Sequence, residues 1–318
     1  MRGNMKTPKF ALSGLVKIPA SFLLAAWLLA LTGCHSIWHG SKAPAVIGGF
    51  SSPESVVYAP EFKRYFVSNV GEKLEPFAKD SDGFISMLDK DGAIVERKYL
   101  PKDNVLHAPK GMAVIGNTLY VADIDMLIGF DLSTREKTFE MDFSGEKTVF
   151  LNDLAVLDEN TLALSASDTG KVFMVSIKEK SYAILAEGIA GPNGLYYDAG
   201  SKRLFVVGFG EGSKANGEAG FINLRERDAE PVYEKLTGPI GALDGVALLP
   251  GARLVFSDWV SFEKPGVLRV YDLDKKELST VKLSEEVRGP ADFYYDAKHK
   301  KIYLPRMLEG MLSIEYVK

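Results

Sequence analysis

Six short phrases of this 318-residue chain set one residue just ahead of an apolar run, and four of those six residues carry oxygen donors. The phrases are Pro53-Glu54-Ser55-Val56-Val57-Tyr58, Pro109-Lys110-Gly111-Met112-Ala113-Val114 and Leu151-Asn152-Asp153-Leu154-Ala155-Val156, then Pro192-Asn193-Gly194-Leu195-Tyr196-Tyr197, Leu243-Asp244-Gly245-Val246-Ala247-Leu248 and Pro290-Ala291-Asp292-Phe293-Tyr294-Tyr295. Their second positions read Glu54, Lys110, Asn152, Asn193, Asp244 and Ala291. Two carboxylates and two amide carbonyls are the ligands of a hard divalent cation, Ca2+ above all, which takes about 6–8 oxygens and would keep open positions here. With no His or Cys among them, Zn2+ or Mn2+ come second. A plainer reading competes, because Asn-Gly and Asp-Gly are strong turn dipeptides. Asn193-Gly194 and Asp244-Gly245 could therefore serve loop geometry alone, whereas Glu54-Ser55 carries no turn signal.

For these residues to meet, the phrases must be equivalent strands of a repeat. The second positions follow one another at intervals of 56, 42, 41, 51 and 47 residues, matching a four-stranded propeller blade of roughly 40–50 residues. A second β-rich run follows each phrase, as in residues 118–122, 203–207, 253–257 and 301–305, with third runs at 171–176 and 268–272. Fourth runs, such as 181–186, are weaker. After Ala291 too few residues remain for a full blade, and Ala45-Val-Ile-Gly-Gly-Phe50 is expected to supply the missing strand and hide an open edge. The expectation is an all-β fold, a six-bladed β-propeller over residues 45–318 closed by an N-terminal strand in the last blade. A pair of β-sandwiches is the competing architecture. The two longest repeats carry segments around 71–83 and 210–220 that read as surface insertions.

The phrases and ring residues resemble the senescence marker protein / gluconolactonase family over about 45–318, with paraoxonases as more distant propeller relatives. The resemblance implies a divalent ion, calcium or zinc, at the channel mouth and hydrolysis of sugar lactones. It places the metal positions on Glu54, Asn152-Asp153, Asn193-Gly194 and Asp244-Gly245. Members often carry an Arg two residues before the blade-three Asn, where it grips the sugar; here that residue is Phe150, which argues against a highly hydroxylated sugar. Lys110 could orient an anionic substrate or oxyanion, or pair with Glu54 and weaken the metal. His107, three residues earlier, is a candidate proton shuttle or an ordinary loop residue. Asp244 or Glu54 is the candidate catalytic base. The expected function is metal-dependent hydrolysis of a lactone or related ester; a non-catalytic envelope propeller with a structural Ca2+, binding a partner or glycan, is the alternative.

Other chemistries find little support. Gly208-Phe-Gly-Glu-Gly-Ser213 lacks the ending of a phosphate loop, and Ser165, Ser167 and Asp168 have no His to complete a triad. Net charge is −4 and there is no Lys/Arg run, so no nucleic-acid partner is expected. The single cysteine, Cys34, rules out a disulfide within the chain. It follows an apolar stretch, 18–33, preceded by Arg2, Lys6, Lys9 and Lys17, the pattern of a signal peptide. Leu31-Thr32-Gly33-Cys34 resembles a bacterial lipobox, which implies a signal peptide over 1–33, a lipidated tether over 34–44 and a membrane contact through the lipid. His35 in place of Asp resembles the outer-membrane sorting pattern, so the expected location is the cell envelope, on the outer membrane facing the periplasm.

Overall fold

The computed structural model describes residues 45–225 and 231–317. Six four-stranded antiparallel sheets form the six blades of a propeller. Among the described residues only three single turns of 3-10 helix interrupt the strands, and no helix is long and apolar enough to cross a membrane.

The second strand of every blade has one burial profile. Arg64–Asn69, Thr118–Asp123, Thr161–Ala166, Arg203–Gly208, Arg253–Asp258 and Lys301–Arg306 each begin half-exposed on a polar residue and are buried for the next five. Such a strand is covered on both faces, which is why these runs read as continuous rather than alternating apolar sequence. The fourth strands sit outermost; Lys137–Asp142 and Glu277–Val281 are mostly exposed, hence their faint apolar signal. Between neighbouring blades lie six apolar clusters, one per junction.

Closure follows the expected route. Ala45–Gly48 pairs antiparallel with Met311–Tyr316, from Ala45 opposite Ile314 to Gly48 opposite Met311. Phe50 donates its amide to the Gly310 carbonyl at 3.2 Å. Ile47 and Phe50 then join Tyr65, Val67, Tyr303 and Ile314 in the cluster between blades six and one.

The five full-length inner strands share an irregularity that matters for the channel. Pairing with the second strand breaks between Pro53 and Val56, Pro109 and Met112, Leu151 and Leu154, Pro192 and Leu195, and Leu243 and Val246. A bulge of this kind takes two residues off the ladder and re-aims the first of them. In each case that residue is the one singled out by the repeat.

Candidate functional site: a ring of unpartnered oxygens in an apolar cavity

Glu54, Asn152, Asn193 and Asp244 line one cavity of about 390 Å3, together with Lys110 and Phe150. All four oxygen-bearing residues are 4% exposed or less. Each carries one buried oxygen without a hydrogen-bond partner: Glu54 Oε2, Asn152 Oδ1, Asn193 Oδ1 and Asp244 Oδ1. Buried polar atoms are almost always paired, and each exception asks for an explanation. Four acceptors on one cavity, none with a donor, are complementary to a positive charge.

Neighbouring groups hold two of these oxygens in place. The Trp259 indole Nε1–H donates to Asp244 Oδ2 at 2.8 Å, leaving Oδ1 free. Asn152 Nδ2 donates to Ser167 Oγ at 3.0 Å, and that hydroxyl donates on to the Pro192 carbonyl at 2.7 Å. This fixes which end of the Asn152 amide faces the cavity.

Directly after the ring residues come Ser55, Gly111, Asp153, Gly194, Gly245 and Asp292. A Cβ on Gly194 would lie 2.1 Å from the Asp244 carbonyl oxygen, and one on Gly245 would lie 2.7 Å from Asp292 Oδ1. Both glycines sit inside strands, Pro192–Asp198 and Leu243–Leu249, not in turns. Close approach of the inner strands around the channel, and no turn, accounts for Asn-Gly and Asp-Gly. Asp153 straps blades three and four together, its carboxylate accepting from the Leu154 and Leu195 amides at 2.6 and 2.7 Å. Asp292 accepts from Ser55 Oγ at 2.5 Å.

Burial pushes the carboxyls of Glu54, Asp153 and Asp244 well above their usual range, and repulsion from neighbouring carboxylates pushes further in the same direction. Asp292 is raised to about 7, mainly by burial. Such a group of carboxylates favours either bound protons or a cation. Among the described residues no three His, Cys, Asp or Glu side chains form a metal-holding group by themselves; the four unpartnered oxygens belong to two carboxylates and two amides.

Lys110 lines the cavity and is anchored there by backbone carbonyls. Its ammonium donates to the carbonyls of Pro76 (3.0 Å) and Ala108 (2.9 Å) and lies 4.8 Å from the centre of the Phe150 ring. Burial pushes its pKa down to about 8, against the pull of Asp123, Glu54 and Asp168. No ion pair joins it to Glu54 among the described residues, although the Glu54 charge acts on it. His107 does not line the cavity. Its Nδ1 accepts from the Ser81 amide at 3.1 Å, and its own amide donates to Asp123 Oδ2. Both residues therefore fasten the 71–83 segment, helped by an ion pair of 2.6 Å between Lys79 and Asp125.

That segment and the one after Gly208, read from sequence as surface insertions, build the cavity walls. They contribute Leu74, Pro76 and Phe77, and Phe209, Gly210 and Gly212. Asp123 and Asp258 end second strands and accept amides of the loops leading into inner strands, at His107 and Ala108 and at Ala242. Phe77 carried no sequence signal, since it lies in a segment without a counterpart in the other blades. Trp259 directly follows the second strand of blade five, the place that Val70, Ile124, Ser167, Phe209 and Met307 take in the others, and the repeat could have pointed to it. Cys34 and the segments 1–33 and 34–44 lie outside the described residues.

No family model and no curated protein matches this sequence. Solved structures do resemble it. A protein provisionally assigned as a gluconolactonase superposes with a TM-score of 0.62 at 17% identity, covering 86% of this chain and 92% of its own. The PQQ domain of pyranose dehydrogenase from Coprinopsis cinerea gives 0.59 at 11% identity, covering 87% and 96%. A catalytically inactive variant of virginiamycin B lyase from Staphylococcus aureus, solved with quinupristin, gives 0.55 at 13% identity, covering 86% and 99%. At these identities the likeness extends to the fold.

Proposed function

We propose that this protein is a divalent-metal-dependent hydrolase of a lactone or related ester, with Ca2+ the first choice of ion and Zn2+ or Mn2+ the others. The observation that carries the reading is the set of four buried, partnerless oxygens on Glu54, Asn152, Asn193 and Asp244. These residues would hold the ion, which when bound supplies Lewis-acid polarisation of the ester carbonyl. The chain's own groups do the rest. Water adds to the acyl carbon while its proton passes to a carboxylate, that of Asp244 or of Glu54. The acyl–oxygen bond then breaks, and the proton is returned to the departing alkoxide, so that a lactone and water give a hydroxy acid. The Trp259 indole N–H holds Asp244 Oδ2 by a hydrogen bond of 2.8 Å. The resemblance to a gluconolactonase-like propeller is consistent with such chemistry at the level of fold.

A panel of lactones and aryl esters with Ca2+, Zn2+ and Mn2+ tests the reading. Turnover is expected with at least one ion, falling about 100-fold or more in Asp244→Asn, which keeps an oxygen ligand and removes the base. No turnover with any ion, in protein that binds metal, would favour the envelope-binding propeller instead. The half-exposed Phe77 and Phe262 would serve a binding partner equally well.

We further propose that the mature chain is tethered to the bacterial envelope by acyl groups on Cys34, on the outer membrane facing the periplasm. A palmitate analogue should label the wild type and leave Cys34→Ser unlabelled; equal labelling of both would contradict the tether.

A further inference from the structure

The cavity carries more aromatic surface than its floor chemistry requires. Phe77 and Phe150 pack with ring centres 4.7 Å apart. Trp259 packs edge-on against Phe209 and Phe262, with centres 5.6 and 5.2 Å away. Phe77 is held over Phe150 because its neighbour Pro76 is tied down by the Lys110 ammonium. These rings come from four separate segments, and only Trp259, through its indole N–H, has a part in the oxygen ring. Phe77 is 57% exposed and Phe262 47%, so each keeps an aromatic face that water covers until something apolar replaces it.

The other polar lining groups are already engaged. Ser167 bridges Asn152 and the Pro192 carbonyl. Asp168 accepts from Thr148 Oγ1 and the Val149 amide, and two of the three Lys110 donors are committed to carbonyls. Apart from the ring residues, the lining side chains thus leave a ligand little more than the third Lys110 donor. A sugar lactone would bury hydroxyls all around its ring, and those facing the aromatic walls would lose water without replacement. A hydrocarbon or aryl ring suffers no such penalty and gains the burial of its own surface and of the walls.

We propose that the site selects an ester or lactone whose body is aromatic or hydrocarbon, and discriminates against polyhydroxylated lactones. This rests on the hydrolase reading of the same cavity but is tested apart from it. Chromane and 1,5-anhydroglucitol are cyclic ethers with no bond to hydrolyse, one an aryl lactone shape and the other a sugar lactone shape. Calorimetric titration of each into the full chain with Ca2+ present should give chromane an affinity at least about tenfold tighter. Phe77→Ser combined with Phe262→Ser should weaken chromane about tenfold, the scale expected from losing buried aromatic contact. Both side chains are part-exposed, so the fold should survive; Phe77→Leu, which keeps an apolar wall, should retain most of the affinity. Anhydroglucitol binding as tightly as chromane, or chromane binding unchanged in the double variant, would overturn the proposal. Chromane binding in a protein that hydrolyses nothing would uphold this selectivity and count against the hydrolase alone.

Discussion

Calcium added to chelated protein should raise its melting temperature by about 5 °C or more, and Asp244→Ala should abolish the rise. An ion that binds only the folded chain stabilises it by RT ln(1 + [L]/Kd), about 2.7 kcal/mol at a hundred times Kd. For domains of this size a kilocalorie is worth roughly 2–4 °C. The folded state concentrates Glu54, Asp244, Asp153 and Asp292 in one buried region, with burial and mutual repulsion raising the carboxyls of Glu54 and Asp244. A cation there answers several unfavourable terms at once. Because those carboxyls are raised, protons compete with the ion well above the usual carboxylate range, so the calcium response should shrink as pH falls. Differential scanning of wild type and Asp244→Ala, with chelator and with calcium, measures all of this; equal rises in both proteins would place the ion elsewhere.

Deleting residues 45–50 should lower the melting temperature by about 10 °C or prevent folding. Ile47 and Phe50 sit in the apolar cluster that joins blade six to blade one, and losing a buried Phe alone costs about 3–5 kcal/mol. That is a large share of the roughly 5–15 kcal/mol by which a folded domain is stable. The deletion also leaves Met311–Tyr316 as an open strand edge, a template for association. Deleting 35–42 should leave the melting temperature unchanged. A chain beginning at residue 52 that melts with the parent and stays monomeric would show that the closing strand contributes nothing.

The repeat was legible in sequence because each blade reuses one inner-strand phrase, and equivalent positions in a closed ring must meet at its axis. Glu54, Asn152, Asn193 and Asp244 could be found that way, as could the strand at 45–48, since the last blade was visibly short. What could not be read is where non-repeating segments return. Phe77 and Phe262 reach the cavity through loops whose lengths and paths differ between blades, and no periodicity points to them. Lys110 occupies a repeat position, yet its partners, the Pro76 and Ala108 carbonyls, are backbone atoms that residue types do not reveal. His107 lies close to the ring in sequence, but it falls outside the cavity lining and its Nδ1 accepts from the Ser81 amide. The glycines after Asn193 and Asp244 looked like turn residues because sequence cannot separate a turn from a close approach of strands.

The central claim is that four buried oxygens converge on one ion, and titration calorimetry of calcium into chelated protein tests it most directly. Wild type should bind one ion per chain, with Glu54→Gln, Asn152→Ala, Asn193→Ala and Asp244→Ala each weakening that single site about tenfold or more. Absence of binding in the wild type, or an affinity that none of the four substitutions changes, would contradict the claim.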